Sequence, residues 1–252
     1  MRKDRFLRLA VIGDPVEHSK SPELHAGFLR AAGLQGSYEA IRVPLGDGAR
    51  AIEDLCTRGY VGLNVTTPLK EEAFALAHWR DATALASGSV NTLVLGETIE
   101  GHNTDGIGAL GALTDAGIGD FAATKILVLG AGPTARATIA ALAAADALVW
   151  VWNRTPERAA AIARDLDANV FAEAMEYDAV FATLPPEAVP ADPLVNDAVR
   201  AAPILVDANY GSRATLARAL GRSSFDGSGM LRHSASASFA LWCTALGIVA
   251  IE

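Results

Sequence analysis

Residues 126–135 read ILVLGAGPTA, and this stretch limits the fold more than any other. Ile126 to Leu129 are apolar without alternation, which suits a strand buried on both faces. Gly130 and Gly132 follow directly, Ala135 takes the third position of a G-x-G-x-x-G/A pattern, and an Ala-rich helix continues. A pyrophosphate site needs small residues at these places, for a tight turn, close backbone approach and a helix N-terminus pointing at the charge. Gly130, Ala131, Gly132 and Ala135 are therefore the expected cofactor-binding turn. Small residues are common in this chain, so the strand-turn-helix context carries more of the argument than the spacing does.

The next strand selects the cofactor. An NAD site is expected to end it with Asp or Glu, about 20 residues on, to hold the ribose 2′-hydroxyl. The run ALVWVWNRTPER ends instead on Asn153, Arg154 and Thr155, with Arg158 one turn later. A guanidinium offers a rigid fork of donors to a phosphate, and no acid stands at the tip to repel one. NADP is favoured over NAD.

Around this run, strand-like and helical patterns alternate: RLAVIG, SPELHAGFLRAAG, SYEAIRV, a helical stretch at 47–58, then YVGLNVT. Such alternation implies parallel strands joined by helical crossovers. GSVNTLVLGETIEGHNTDG reads as a hairpin, followed by a helix from about Asp105 to Ala116 that Gly117 stops. After the glycine turn come YDAVFATL and PILVDANY, and the chain finishes on a helix from about Met230 to Ile248. The Ala-rich tracts at 140–147 and 158–164 lie on helical patterns. The expected fold class is α/β in two lobes, each with a mostly parallel sheet, divided near residue 105.

Composition bounds the partners. With 252 residues, 51% of them hydrophobic, the chain has ample core for two lobes. A net charge of -8 argues against nucleic acid or an anionic membrane as the main partner. The start MRKDRFLRLAVIGDP is basic but lacks a sustained apolar core, and no later stretch approaches a membrane span, so a cytoplasmic location is expected. Cys56 and Cys243 are expected as buried free thiols. His18, His25, His78, His102 and His233 include no pair at metal-ligand helical spacing, and no metal is expected.

In NVTTPLKEEA, residues 64–73, Asn64 to Thr67 read as a strand ending in a hydroxyl-rich turn, and Pro68 fits the first position of a new helix. Glu71 and Glu72 suit the positive end of that helix, whereas Lys70 does not. An ammonium disfavoured in this way suits a group that exchanges protons near neutrality. Three further polar clusters, HSKSP at 18–22, SVNT at 89–92 and HNTDG at 102–106, fall at strand ends or loops, which line ligand crevices in parallel α/β sheets.

The ordered set GDPVEHSKSPELH, NVTTPLKEEA, VNT, NTDG, GAGPTAR, NRTPER and DGSGML resembles the shikimate dehydrogenase family over nearly the whole chain. The resemblance implies a substrate-binding and catalytic lobe over 1–103, completed by a C-terminal helix at 231–252. It implies a Rossmann-type NADP-binding lobe over 104–230. By the same resemblance Ser19 and Ser21 hold the substrate carboxylate, and Asn64, Thr66 and Asn91 hold ring hydroxyls. Lys70 and Asp105 form the catalytic pair, Asp105 orienting the amine, although an Asp in a first helical turn is also ordinary dipole complementation. Tyr210 approaches the substrate, Arg154 and Arg158 clamp the 2′-phosphate, and Gly229 and Met230 belong to the cofactor site. The implied reaction is reversible NADPH-dependent reduction of 3-dehydroshikimate to shikimate, with a homodimer left open.

Two departures stand out. Ser234 takes the place where relatives usually carry a substrate-binding glutamine, and Leu184-Pro185-Pro186 replaces a small, polar loop near the nicotinamide. They leave room for a dehydrogenase acting on quinate or another shikimate-like polyol. A catalytically idle NADP-binding regulatory protein is the rival of another class, and retention of both Lys70 and Asp105 argues against it.

Overall fold

The structure, a computed structural model, describes residues 6–173 and 175–248. The basic start at residues 1–5, and residues 249–252 of the expected C-terminal segment, lie outside the described residues. The chain divides into two compact units, residues 1–104 with 234–252, and residues 105–233.

The first unit contains β1 (Leu7–Gly13), α1 (Ser21–Ala31), β2 (Gly36–Arg42), α2 (Gly48–Thr57), β3 (Tyr60–Val65), α3 (Lys70–Leu76), β4 (Trp79–Arg80), α4 (Ala82–Ser87), β5 (Thr92–Leu95) and β6 (Ile99–His102). Its sheet has the order β2-β1-β3-β5-β6-β4. β2, β1 and β3 run parallel, β5 is antiparallel to β3 and β6, and β4 is parallel to β6. Along β1, Leu7, Leu9 and Val11 enter one apolar cluster while Ala10 and Ile12 enter another. Both faces of this strand are covered, which is why its sequence is almost continuously apolar.

The second unit contains α5 (Asp105–Asp115), β7 (Lys125–Leu129), α6 (Pro133–Ala144), β8 (Leu148–Trp152), α7 (Pro156–Asp165), β9 (Asn169–Val170), β10 (Ala179–Ala182), α8 (Pro193–Ala201), β11 (Ile204–Asp207) and α9 (Leu216–Ala219). A long helix, α10 (Ser228–Ala245), begins here and belongs to the first unit from Ser234 onward. The sheet order is β11-β10-β7-β8-β9, with every pair parallel. Ile126 and Val128 of β7 face one cluster, Leu127 and Leu129 the other.

Several sequence expectations need correction. The helix expected to open at Pro68 opens at Lys70, because the chain first closes a turn in which Leu69 N donates to Thr66 O at 2.9 Å. α10 starts and ends earlier than the expected 230–248, and α6 stops before the end of the 140–147 alanine tract, where Asp146 takes φ 60°. α5 ends at Asp115, and Gly117 at φ 114° turns the chain away, its N–H donating to Thr114 O. Cys243 is buried, but Cys56 is only half-buried, on the shoulder of α2 whose inward face carries Ile52 and Leu55. Among the described residues no helix is long and apolar enough to cross a membrane.

Candidate active site

In the first unit the strand order reverses between β1 and β3, so the loops after these strands border the crevice where open α/β sheets bind ligands. The loops are stitched together by Thr66 N donating to Ile12 O at 2.9 Å and Asp14 N to Thr67 O at 3.0 Å. A Cβ on Gly13 would overlap the Thr66 side chain, so this approach requires glycine. Ser21 N donates to Ser19 Oγ at 3.2 Å, which brings the two serines into one loop. Lys70 and Thr66 are half-buried, and the Lys70 carbonyl accepts from Val90 N at 3.0 Å, tying the start of α3 to the segment before β5.

A polar cluster gathers at the end of β3. Asn64 stands opposite Thr92 in the β3–β5 pairing. Its Nδ2 donates to Asn91 O at 3.2 Å, Thr92 Oγ1 at 3.2 Å and Ser238 Oγ at 3.0 Å, and its Oδ1 accepts from Tyr38 Oη at 2.7 Å. Asn91 Oδ1 accepts from Thr92 Oγ1 and Thr104 N, both at 2.9 Å. Thr104 Oγ1 lies 2.8 Å from Ser234 Oγ and 3.2 Å from Ser238 Oγ. Asn91, Thr92, Thr104 and Ser238 are buried, and Ser234 is half-buried. Mutual hydrogen bonding is what allows so many polar groups to be buried together.

The helix α10 reaches this cluster because Trp242, one turn beyond Ser238, fills a slot over β3. A Cβ on Gly62 would overlap its indole, and the Trp242 Nε1 donates to Leu93 O at 2.9 Å. The turn carrying Thr104 is held from behind. Asn103 Nδ2 donates to Ser87 Oγ, Ser89 O and Ser89 Oγ, at 3.1, 3.0 and 2.9 Å. The structure thus brings Asn64, Asn91 and Ser234 together and adds Tyr38, Thr92, Thr104 and Ser238, which sequence reasoning missed. Ser238 had a signal, its position one helical turn after Ser234; Tyr38 had none.

In the second unit the strand order reverses between β7 and β10. Gly130 ends β7 there at φ 117°, and a Cβ on it would overlap Thr183 Oγ1 beyond β10. Only glycine meets both demands. Gly132 caps α6, Pro133 opens it, and fully buried Ala135 packs beneath. Asn153 Nδ2 donates to Thr155 O at 3.0 Å, Thr155 occupies the N-cap position of α7 without a side-chain capping bond, and Arg154 and Arg158 are exposed. Neither guanidinium pairs with an acid among the described residues. A cleared glycine turn, a helix N-terminus and exposed guanidinium groups fit a phosphorylated dinucleotide.

Asp105 opens α5 and is buried, with Thr134 Oγ1 at the start of α6 donating to its Oδ2 at 3.4 Å. Gly106 permits this approach, since a Cβ there would meet Ala137 O and Ala141 Cβ at 2.8 Å. Tyr210 follows a clamp in which Asn209 N and Nδ2 both donate to Asp207 Oδ1 at 2.9 Å, while Nδ2 also donates to Leu184 O at 2.8 Å. Burial pushes the Asp207 carboxyl up, and the Asn209 bonds restrain it. Gly229 packs beside Ala112 of α5, and the Met230 side chain is committed to the core. Among the described residues no group of three or more His, Cys, Asp or Glu is placed to hold a metal ion.

Comparison with known proteins accords with both halves. Residues 11–93 match the family model of the shikimate dehydrogenase substrate binding domain, and residues 112–199 that of shikimate / quinate 5-dehydrogenase. A shikimate dehydrogenase (NADP(+)) from Acidiphilium cryptum is 42% identical over 250 residues, covering 93% of this chain and 90% of that protein. One from Methanothrix thermoacetophila is 38% identical over 244 residues, covering 92% and 90%. The crystal structure of shikimate 5-dehydrogenase from Thermus thermophilus, in complex with NADP(H) and shikimate, superposes with a TM-score of 0.82 at 36% identity, covering 94% of each chain. The chain belongs to the shikimate dehydrogenase family, NADP-dependent oxidoreductases acting on a CH–OH group.

Proposed function

We propose that this protein catalyses the reversible NADPH-dependent reduction of 3-dehydroshikimate to shikimate, in the cytoplasm. The convergence of Asn64, Asn91, Thr104, Ser234 and Ser238 at the end of β3 carries this reading, because a polyol needs hydrogen-bonding groups held at fixed positions. Ser19 and Ser21 take the substrate carboxylate, and Asn64, Thr66, Asn91 and Ser234 take its hydroxyls, with Tyr210 a further contact. Residues 1–103 with the C-terminal helix form the substrate domain, and 104–230 the NADP domain. Gly130, Ala131, Gly132 and Ala135 hold the pyrophosphate, Gly229 and Met230 lie along the cofactor, and Arg154 and Arg158, with Asn153 and Thr155, hold the 2′-phosphate.

When bound, NADPH supplies the hydride. Lys70 passes the proton to the carbonyl oxygen and takes it back in the reverse direction, while Asp105 orients the amine. Replacing Lys70 with Ala is expected to lower kcat about a hundredfold or more and to leave NADP affinity nearly intact. An active Lys70→Ala enzyme would end this assignment. Quinate is the second reading. The Ser234 hydroxyl is drawn 2.8 Å from Thr104, which favours a site with space for an additional hydroxyl. Nicotinamide absorbance, with shikimate and quinate each offered against NADP⁺ and NAD⁺, decides. Turnover with shikimate and NADP⁺ supports the main reading, and turnover with quinate alone supports the second. A homodimer is part of the proposal, and sedimentation of the purified protein tests it.

A further inference from the structure

We propose that Tyr38 is a positioning residue for substrate binding, fixing Asn64 through its buried phenol, and that His25 is the plate that holds the phenol in place. The inference rests on the reading of Asn64 as a substrate-hydroxyl ligand.

Tyr38 lies on the edge strand β2, paired with Leu9 of β1, and Asn64 lies on β3 beyond β1. The phenol therefore reaches across β1 to place its oxygen 2.7 Å from Asn64 Oδ1. The direction of this bond is fixed. Asn64 Nδ2 faces the carbonyl oxygen of Asn91 at 3.2 Å, and a flipped amide would set two carbonyl oxygens against each other. The Tyr38 proton is thereby committed to Asn64, and Asn64 Nδ2 is left to donate toward Thr92 and Ser238. Burial pushes the phenol far above its ordinary range, and the neighbouring Ser21 hydroxyl opposes this.

His25 sits one helical turn after Ser21 on the buried face of α1. Its ring stacks on Tyr38 with centroids 4.2 Å apart and planes 5° apart. It is fully buried, and neither ring nitrogen has a hydrogen-bond partner among the described residues. Phe28, Phe239 and Trp242 enclose it, with centroids 5.5, 6.3 and 5.2 Å away. Such surroundings keep the imidazole neutral and make it part of an aromatic wall. Rotation of Tyr38 away from Asn64 is blocked by that wall, so the amide keeps a single orientation.

The test compares Tyr38→Phe, Asn64→Ala, the double variant and His25→Leu, reading KM for shikimate, kcat, KM for NADP⁺ and the melting midpoint of each. Tyr38→Phe is expected to raise KM for shikimate about three- to tenfold, the size of one buried hydrogen bond, without altering KM for NADP⁺. The losses of Tyr38→Phe and Asn64→Ala are expected to overlap rather than multiply in the double variant. His25→Leu, which keeps the hydroxyl but removes the plate, is expected to raise KM for shikimate in the same direction. If Asn64→Ala raises that KM and Tyr38→Phe does not, or if the two losses multiply, the positioning role is overturned. If Asn64→Ala leaves it unchanged, the reading of Asn64 itself fails. A fall in melting midpoint with KM unchanged reduces Tyr38 to a core residue and also overturns the proposal.

Discussion

A guanidinium at the start of a helix works against the helix dipole unless an anion meets it. Arg154 and Arg158 stand there, exposed and unmatched by any acid among the described residues, and the proposed 2′-phosphate would supply that anion. Arg154→Ala is expected to raise KM for NADP⁺ about tenfold or more and to change that for NAD⁺ by less than about twofold. Steady-state kinetics with both cofactors measures it, and equal losses would detach Arg154 from the phosphate. Asn209 shows another way a single side chain can act. Its amide spans Asp207 and Leu184, so it joins the loop after β10 to the segment bearing Tyr210. Leu184-Pro185-Pro186 is thus anchored at its first residue by a group that does not belong to the loop.

Among elements, α10 decides the most. It carries Ser238 to Asn64 and Thr92 and Ser234 to Thr104, and its seat is the missing side chain at Gly62 of β3. Gly62→Ala is expected to cost about 1–3 kcal/mol by overpacking. It should also raise KM for shikimate, since Trp242 cannot move without moving Ser238. Urea unfolding and kinetics on the same preparation check both, and an unchanged midpoint would show that the helix shifts freely. The elements themselves were largely legible in the sequence. Continuous apolar runs marked β1 and β7, and the glycine turn and NRT tip marked the start of α6 and the end of β8, because each is a local pattern. The polar cluster was legible only in pieces. Asn64 and Ser238 lie 174 residues apart, and the register that sets Asn64 opposite Thr92 is written in no local spacing. The start of α3 differs from the expectation for another reason: Pro68 satisfies a helix rule, but the local turn closed by Leu69 N on Thr66 O claims it first.

At the scale of the whole molecule, His25 links folding to acidity. Burial pushes its imidazole down from 6.5 to about 3, and the nearby Asn64 side chain opposes the drop without making a well-formed hydrogen bond. Well above pH 6.5 the ring is neutral in folded and unfolded chains alike, and it adds no pH dependence. Below that, the unfolded chain takes a proton that the folded one refuses, so stability falls by roughly 1.4 kcal/mol per pH unit until about 3. The rings around His25 belong to Phe28, Tyr38, Phe239 and Trp242, none of which supplies a charge to soften this. His25→Phe is therefore expected to flatten the acid limb of a stability profile measured by denaturant between pH 7 and pH 4. Parallel profiles for the two proteins would assign the limb to other groups. Chain order carries a different consequence. The second unit is one continuous segment, whereas the first needs residues from Ser234 onward. Synthesis runs from the N-terminus, and units fold as they are completed. The half begun first is finished last, because the slot over Gly62 stays open until Trp242 has left the ribosome. A chain interrupted between Ser234 and Trp242 accordingly ends with its second unit whole and its first uncovered.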